Sequence, residues 1–275
     1  MLSALILAAA PALKAQELVM DGSTFGKRGW SMTQAVDISR LQTLLDTGQM
    51  EPVSAYGPES VFGRLAQVVG YLDVARADGQ SEKCTALLIA PDLILTNAHC
   101  VFIKGGKRAR SVMFVTGYLT TVHAEGEREY AASPKPLERN EALDYAILKL
   151  DRPVEGYRQH AFSVRDPRKG EPLLVIGHPL GQPLHLVRGG CQALRDRPVY
   201  EMRVNHKCDT LGGNSGGPIF SDEDRSVIVG LHHAGGTGAN HGIRMTSLVA
   251  ESEMLRGIFS TQATAAQPRA AEQAQ

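Results

Sequence analysis

Gly212-Gly213-Asn214-Ser215-Gly216-Gly217-Pro218 is the stretch on which the reading of this chain turns. It sets one serine among glycines at 213, 216 and 217, directly before an apolar run that starts at Pro218. Glycine accepts backbone angles that a Cβ forbids, so the segment can turn tightly with nothing bulky beside the hydroxyl. A nucleophilic serine needs that space, together with backbone N–H groups that converge on the oxyanion formed when it attacks a carbonyl. Taken alone, a glycine-rich segment with one serine is more often an ordinary loop. The rest of the chain has to decide.

Two further segments lie N-terminal to it. Leu95-Thr96-Asn97-Ala98-His99-Cys100 closes an apolar run, and Leu143-Asp144-Tyr145-Ala146-Ile147-Leu148-Lys149-Leu150 leads an acid into another. A lone His beside a Cys usually serves structure, and a lone Asp before a strand usually serves a turn. Together the three segments supply a nucleophile, a base and an acid to orient the base.

Around these segments the texture is that of short strands. Leu65–Leu72, Thr85–Ile89, Leu93–Thr96, Ser111–Val115, Tyr145–Leu150, Leu173–Ile176, Val199–Val204, Pro218–Phe220 and Val227–Leu231 are β-type runs punctuated by Gly and Pro. Many short strands spaced this way indicate an all-β sandwich or barrel. Turn residues at Arg152–Gly156 divide the chain into a first half, 61–155, and a second, 156–259. Ser31–Gln49 and Ser247–Phe259 carry apolar residues at helical spacing, the second as a closing helix. Residues 17–60 read as an extension, either a propeptide or a strap across the main domain. The tail at 260–275 is rich in Ala and Gln without an apolar face and is expected to be disordered.

Residues 1–16 form an apolar, Ala-rich stretch too short for a comfortable membrane span, which needs about 20 residues. They read as a signal peptide, although no Lys or Arg precedes the apolar run. The protein is thus expected to be secreted or periplasmic. Four cysteines agree with export; they allow three pairings, of which the local ones, Cys84 with Cys100 and Cys191 with Cys208, are the economical choice. The 29 basic side chains balance 29 acidic ones, so nothing points to nucleic acid or to stable association with an anionic membrane. The basic run Lys104–Arg110 reads as a solvated hairpin loop. No cofactor is expected. Nor is a metal, because no Cys-x-x-Cys or zinc-protease histidine spacing occurs and the adjacent His232 and His233 would face opposite sides of a strand.

Jointly, Thr96-Asn97-Ala98-His99-Cys100, Asp144–Leu150 and Gly213–Pro218, in that order, resemble the trypsin-like serine peptidases of the chymotrypsin fold. The resemblance spans about residues 61–259. It implies two six-stranded antiparallel β-barrels with the site in the cleft between them. It also implies peptide-bond hydrolysis with Ser215 as nucleophile, His99 as general base and acid, Asp144 as orienting acid, and Gly213 and Ser215 N–H as oxyanion hole. A Cys84–Cys100 bridge beside the histidine suits the same family. Protein or peptide substrates follow.

Departures from the family pattern refine the reading. Asn214 stands where digestive members hold an Asp, and with Ile176-Gly177-His178-Pro179-Leu180-Gly181 it is similar to the bacterial glutamyl endopeptidase-like branch. Two residues compete over specificity. Asp209 sits where trypsins hold an acid for Arg or Lys, whereas His232 resembles the histidine that binds glutamate in glutamyl endopeptidases. Ala234 and Gly235 would offer an extended edge to the substrate backbone. Two other readings stay open: a catalytically silent binding module on this scaffold, and a protease that processes its own extension.

Overall fold

The computed structural model describes residues 18–28, 35–103, 107–121, 126–235 and 239–265. The expected signal peptide and part of the basic run, 104–106, lie outside the described residues. In chain order, β1 (Leu18–Asp21), α1 (Ala35–Asp46), β2 (Met50–Pro52) and α2 (Val61–Ala66) come first. Then follow β3 (Val69–Arg76), β4 (Gln80–Ala90), β5 (Leu93–Thr96), α3 (Ala98–Val101) and β6 (Phe102–Ile103). The first half ends with β7 (Lys107–Thr116), β8 (Arg128–Ala132), β9 (Glu138–Asn140) and β10 (Tyr145–Lys149). The second holds β11 (Ser163–Val164), β12 (Leu173–Gly177), β13 (His185–Val187), β14 (Val199–Tyr200) and β15 (Arg203–His206). It closes with β16 (Pro218–Ser221), β17 (Val227–Ala234), β18 (Asn240–Arg244), α4 (Met245–Glu251) and α5 (Glu253–Ala265).

The expected all-β class is what the chain adopts. Each half forms one nine-stranded sheet rather than a six-stranded one, antiparallel throughout except where β11 runs parallel to β17. The surplus is short edge pieces: β1, β6 and β9 in the first sheet, β2, β11 and β14 in the second. Neither ladder closes as a continuous ring. Their flanks approach through isolated bridges, Ala132 with Leu150 in the first half, Pro172 with Gln192 and Ala193 with His206 in the second.

One apolar core joins the halves. Leu72, Phe114 and Ile147 from the first sheet share a cluster with Ile176, Phe220 and Ile228 from the second, and Leu248, Leu255 and Phe259 seal it from the closing helices. Residues 65–68, expected as strand, start differently. Ser60 caps α2 by accepting the Gly63 N–H at 2.9 Å, and Phe62, Leu65 and Ala66 are buried from that turn. Local capping outweighs the apolar run there, and the strand begins only at Val69. The last helix also runs past the expected boundary at Phe259, to Ala265; Ala and Gln are good helix formers.

The extension is woven into both sheets. Leu18–Asp21 pair with β4, and Met50–Pro52 pair with β13. Between these strands, Thr24 O accepts from the buried Lys83 Nζ at 3.1 Å and Gly26 N–H donates to Asp73 Oδ2 at 2.8 Å. Lys83 and Asp73 are themselves a fully buried ion pair at 2.6 Å. No helix of the described residues is long and apolar enough to cross a membrane.

Candidate active site

His99 stands on a single helical turn immediately after β5. Thr96 ends the strand, the α3 turn starts at Ala98, and the Cys84–Cys100 disulfide ties that turn to β4. The second bridge, Cys191–Cys208, links the loops before β14 and after β15. Both local pairings therefore form. Each closes a loop of 16 or 17 residues, worth about 3 kcal/mol of unfolded-chain entropy.

Asp144 is placed by a strained turn. Asn140 Oδ1 accepts the N–H groups of Ala142 and Leu143 at 2.9 and 3.0 Å, and Asp144 then takes φ +44°, a left-handed angle unusual for a residue with a side chain. Asn97 Nδ2 fixes the result from the other strand end, donating to Asp144 O at 3.0 Å. The carboxylate is nearly fully buried. Its Oδ1 accepts the backbone N–H of His99 at 2.8 Å, and its Oδ2 accepts His99 Nδ1–H at 2.7 Å. The same Oδ2 also accepts His233 Nδ1–H, at 2.5 Å. A carboxylate can only accept, so both imidazoles carry their proton on Nδ1. Burial alone would raise the Asp144 pKa; the charge and hydrogen bonds of His99 and His233 outweigh it and hold the acid well below the usual carboxylate range.

Ser215 lies in the glycine turn that precedes β16. Gly213 has φ +95° and Gly216 φ +83°, and a Cβ on either would meet a carbonyl oxygen, His178 O at 2.4 Å or Thr85 O at 2.2 Å. The turn spends its amides unevenly. Those of Asn214, Gly216 and Gly217 donate to Leu211 O, His232 O and Asn214 O at 3.1, 2.9 and 2.9 Å. Those of Gly213 and Ser215 reach no acceptor among the described residues. Ser215 Oγ donates to His233 O at 3.4 Å, so His233 touches the serine through its backbone and Asp144 through its ring.

The specificity candidates separate. Asp209 is half-exposed and faces Arg40 of α1 at 3.5 Å. His232 is fully buried on β17, with its Nδ1 3.4 Å from His206 Nε2. His206 Nδ1 accepts the Cys208 N–H, so His206 donates through Nε2 and the proton of His232 is left on its own Nε2. Burial lowers the pKa of His206 to about 3 and holds His232 well below the ordinary imidazole range, so both are neutral. Ala234 pairs with His241 on β18, while the ladder with β16 stops at Leu231; Gly235 follows the strand and is buried.

Three residues of this region, Thr85, Asn140 and His233, lie outside the motifs. Thr85 donates through Oγ1 to Gly213 O at 2.8 Å and accepts the His178 N–H at 3.0 Å. Asn97 and Asn140 position Asp144. His233 is visible in sequence only as a neighbour of His232.

The sequence profile of the trypsin-like peptidase domain matches residues 84–231. A secreted RxLR effector protein of Plasmopara viticola is 28% identical over 232 residues, covering 76% of this chain and 55% of that protein. The chain spans about half the length of the curated relatives it matches. Among solved structures, the Rv3671c protease of M. tuberculosis in its active form aligns with TM-score 0.55 at 15% identity, over 91% of this chain and 92% of that one. A Glu endopeptidase aligns with TM-score 0.52 at 20% identity, over 72% and 91%. Those likenesses concern the fold. With the profile covering more than half of its length, the chain belongs to the trypsin-like peptidase family and has the chymotrypsin fold.

Proposed function

We propose that this chain is a serine endopeptidase that cleaves proteins or peptides after acidic side chains. The observation that carries the reading is the convergence on Asp144. That residue grips His99 at both backbone and ring, and lies one residue's span, through His233, from Ser215 in a turn with two unspent amides. In this reading Ser215 Oγ attacks the scissile carbonyl while His99 Nε2 takes its proton and returns it to the leaving amine. Asp144 keeps the His99 proton on Nδ1 and stabilises the imidazolium that forms. The Gly213 and Ser215 N–H groups receive the oxyanion, each worth about 3–4 kcal/mol of the barrier. Water then hydrolyses the acyl-enzyme with His99 as base.

The acidic preference is supported by chemistry at the two competing residues. Asp209 already faces a cation and is half-exposed, so it is poorly placed to select a basic side chain. His232 presents an Nε2–H donor with its other nitrogen fixed by His206, and an incoming carboxylate would meet that donor out of water, where a charge-assisted hydrogen bond is strong. Export fits the two disulfides, which persist in oxidising compartments.

The test is cleavage of a mixed peptide library, read by mass spectrometry. Cuts after Glu or Asp that fall by about a millionfold in Ser215→Ala, and that lose their acidic preference in His232→Ala, are expected. Cuts after Arg or Lys would return the specificity to Asp209. A folded wild type without any serine-dependent cut would favour the binding-module reading.

A further inference from the structure

His99 and His233 come from different sheets and reach the same carboxylate oxygen, at 2.7 and 2.5 Å. One ligand atom from each of His99, Asp144 and His233 lies within 4.8 Å of the others. Two imidazoles and a carboxylate are a ligand set that Zn²⁺ accepts, with a fourth position left for water. A way in exists as well. A cavity of about 310 Å³ is lined by Glu141, Glu201, Met202 and Arg203 together with Asp144 and His233, so two exposed acids stand beside its one arginine.

We propose that His99, Asp144 and His233 form a binding site for a divalent transition metal, with Zn²⁺ the best fit, and that the bound ion reversibly silences the enzyme. The silencing half rests on the reading of His99 as general base. Both rings now carry their proton on Nδ1. When the metal takes an Nδ1 lone pair, the proton there moves to the Nε2 of its own ring or, where Nε2 already bears hydrogen, to solvent. His99 Nε2 then bears hydrogen and cannot accept the proton of Ser215. Bonds of about 2.0–2.1 Å to each ligand would require the N–O contacts, now 2.7 and 2.5 Å, to open to about 3.3 Å. Ca²⁺ and Mg²⁺ prefer oxygen ligands and do not suit this set.

Zinc chloride titrated calorimetrically into Ser215→Ala, which needs no activity, should bind one ion per chain. Adding His233→Asn should weaken that binding at least about tenfold. Independently of any variant at 233, Zn²⁺ should protect His99 and His233 from diethyl pyrocarbonate, read by peptide mass, and Mg²⁺ should not. Cleavage by wild type should fall over the same zinc range and return with chelator. Absence of saturable binding, equal binding with and without His233→Asn, or modification of both histidines undiminished by zinc would overturn the site. Binding at the site with cleavage unaffected would overturn its inhibitory role, and because binding is measured in an inactive protein, a failure of the peptidase reading itself would show separately.

Discussion

The backbone N–H of Thr85 donates to the carbonyl of Ser215 at 2.8 Å. That bond crosses from β4 in the first sheet to the serine turn in the second, and the Thr85 hydroxyl doubles it by holding Gly213 O and His178 N–H. The two halves are therefore registered at the site itself. Thr85→Val keeps the shape and removes the hydroxyl, leaving two buried backbone groups unpaired at about 1–3 kcal/mol each. We expect a lower denaturation midpoint and a fall in kcat of about tenfold or more, since a displaced turn mispositions the reacting atoms. Thr85→Ser should recover most of both. Chemical denaturation and steady-state kinetics on the three proteins check it; a valine variant with unchanged kcat would mean that the shared core, and not this hydroxyl, sets the turn.

Asp144 raises a similar question of who holds it in place. Its positive φ costs on the order of 1–3 kcal/mol, and the Asn140 side chain, which organises the preceding turn, helps to meet that cost. In Asn140→Ala the Ala142 and Leu143 N–H groups lose their acceptor. Stability should fall by about 1 kcal/mol, while kcat falls further than such a loss of folding could explain. By contrast, Asp144→Asn should keep the fold and lower kcat by about 10⁴-fold, because its amide would face Nδ1–H with a donor or force the other tautomer. Parallel melts and kinetics separate the two effects.

Lys83 ties the extension to the first sheet. Burial pushes its ammonium pKa down while the neighbouring Asp73 charge pulls it up, and Ser81 Oγ, Asp73 Oδ1 and Thr24 O surround Nζ at 2.6–3.1 Å. Lys83→Met would strand a buried carboxylate and should cost about 3–5 kcal/mol. Deleting residues 1–28 removes Thr24 O and the Gly26 N–H from the same pair and should lower the melting temperature too. An extension cleaved in this stretch without loss of stability, found by intact mass and calorimetry of the purified protein, would return it to the role of a removable propeptide.

Much of this was readable from residues, and the remainder was unreadable for definite reasons. His99, Asp144 and Ser215 sit inside local motifs whose neighbours (Asn97, the glycines, the apolar run after Asp144) serve the same geometry, so the chain advertises them. Strands such as Leu93–Thr96 were legible because an apolar run lies between turn residues. Thr85 and His233 act across the interface between sheets, 128 residues from Gly213 and 89 from Asp144. No local pattern encodes such a contact. Asp209 shows the limit of position along the chain: its place matches a pocket acid of the trypsins, but in the fold it faces Arg40, from an extension outside the shared fold. The edge strands β1 and β2 escaped because three or four residues give no periodicity to read.

Acid should unfold this protein through its buried histidines. Burial lowers the pKa of His178 and of His206 to about 3, against about 6.5 in the unfolded chain. Above pH 6.5 neither state binds a proton there and the two residues leave stability unchanged. Below it the unfolded chain takes up protons that the fold refuses, so stability declines as pH falls from about 6.5 towards 3, by about 1.4 kcal/mol per pH unit for each residue. His178 is the cleaner probe. Its ring lies parallel to Tyr118 with centroids 5.7 Å apart, and its Nδ1–H donates to Gln182 O at 2.9 Å. His178→Asn can keep the second contact through its amide while losing the titration. The variant should be less stable at pH 7.5, where stacking is lost, yet its stability should fall less steeply between pH 6 and 4. Urea unfolding across that range gives both slopes, and parallel slopes would show that His178 is already protonated, or solvated, in the folded protein.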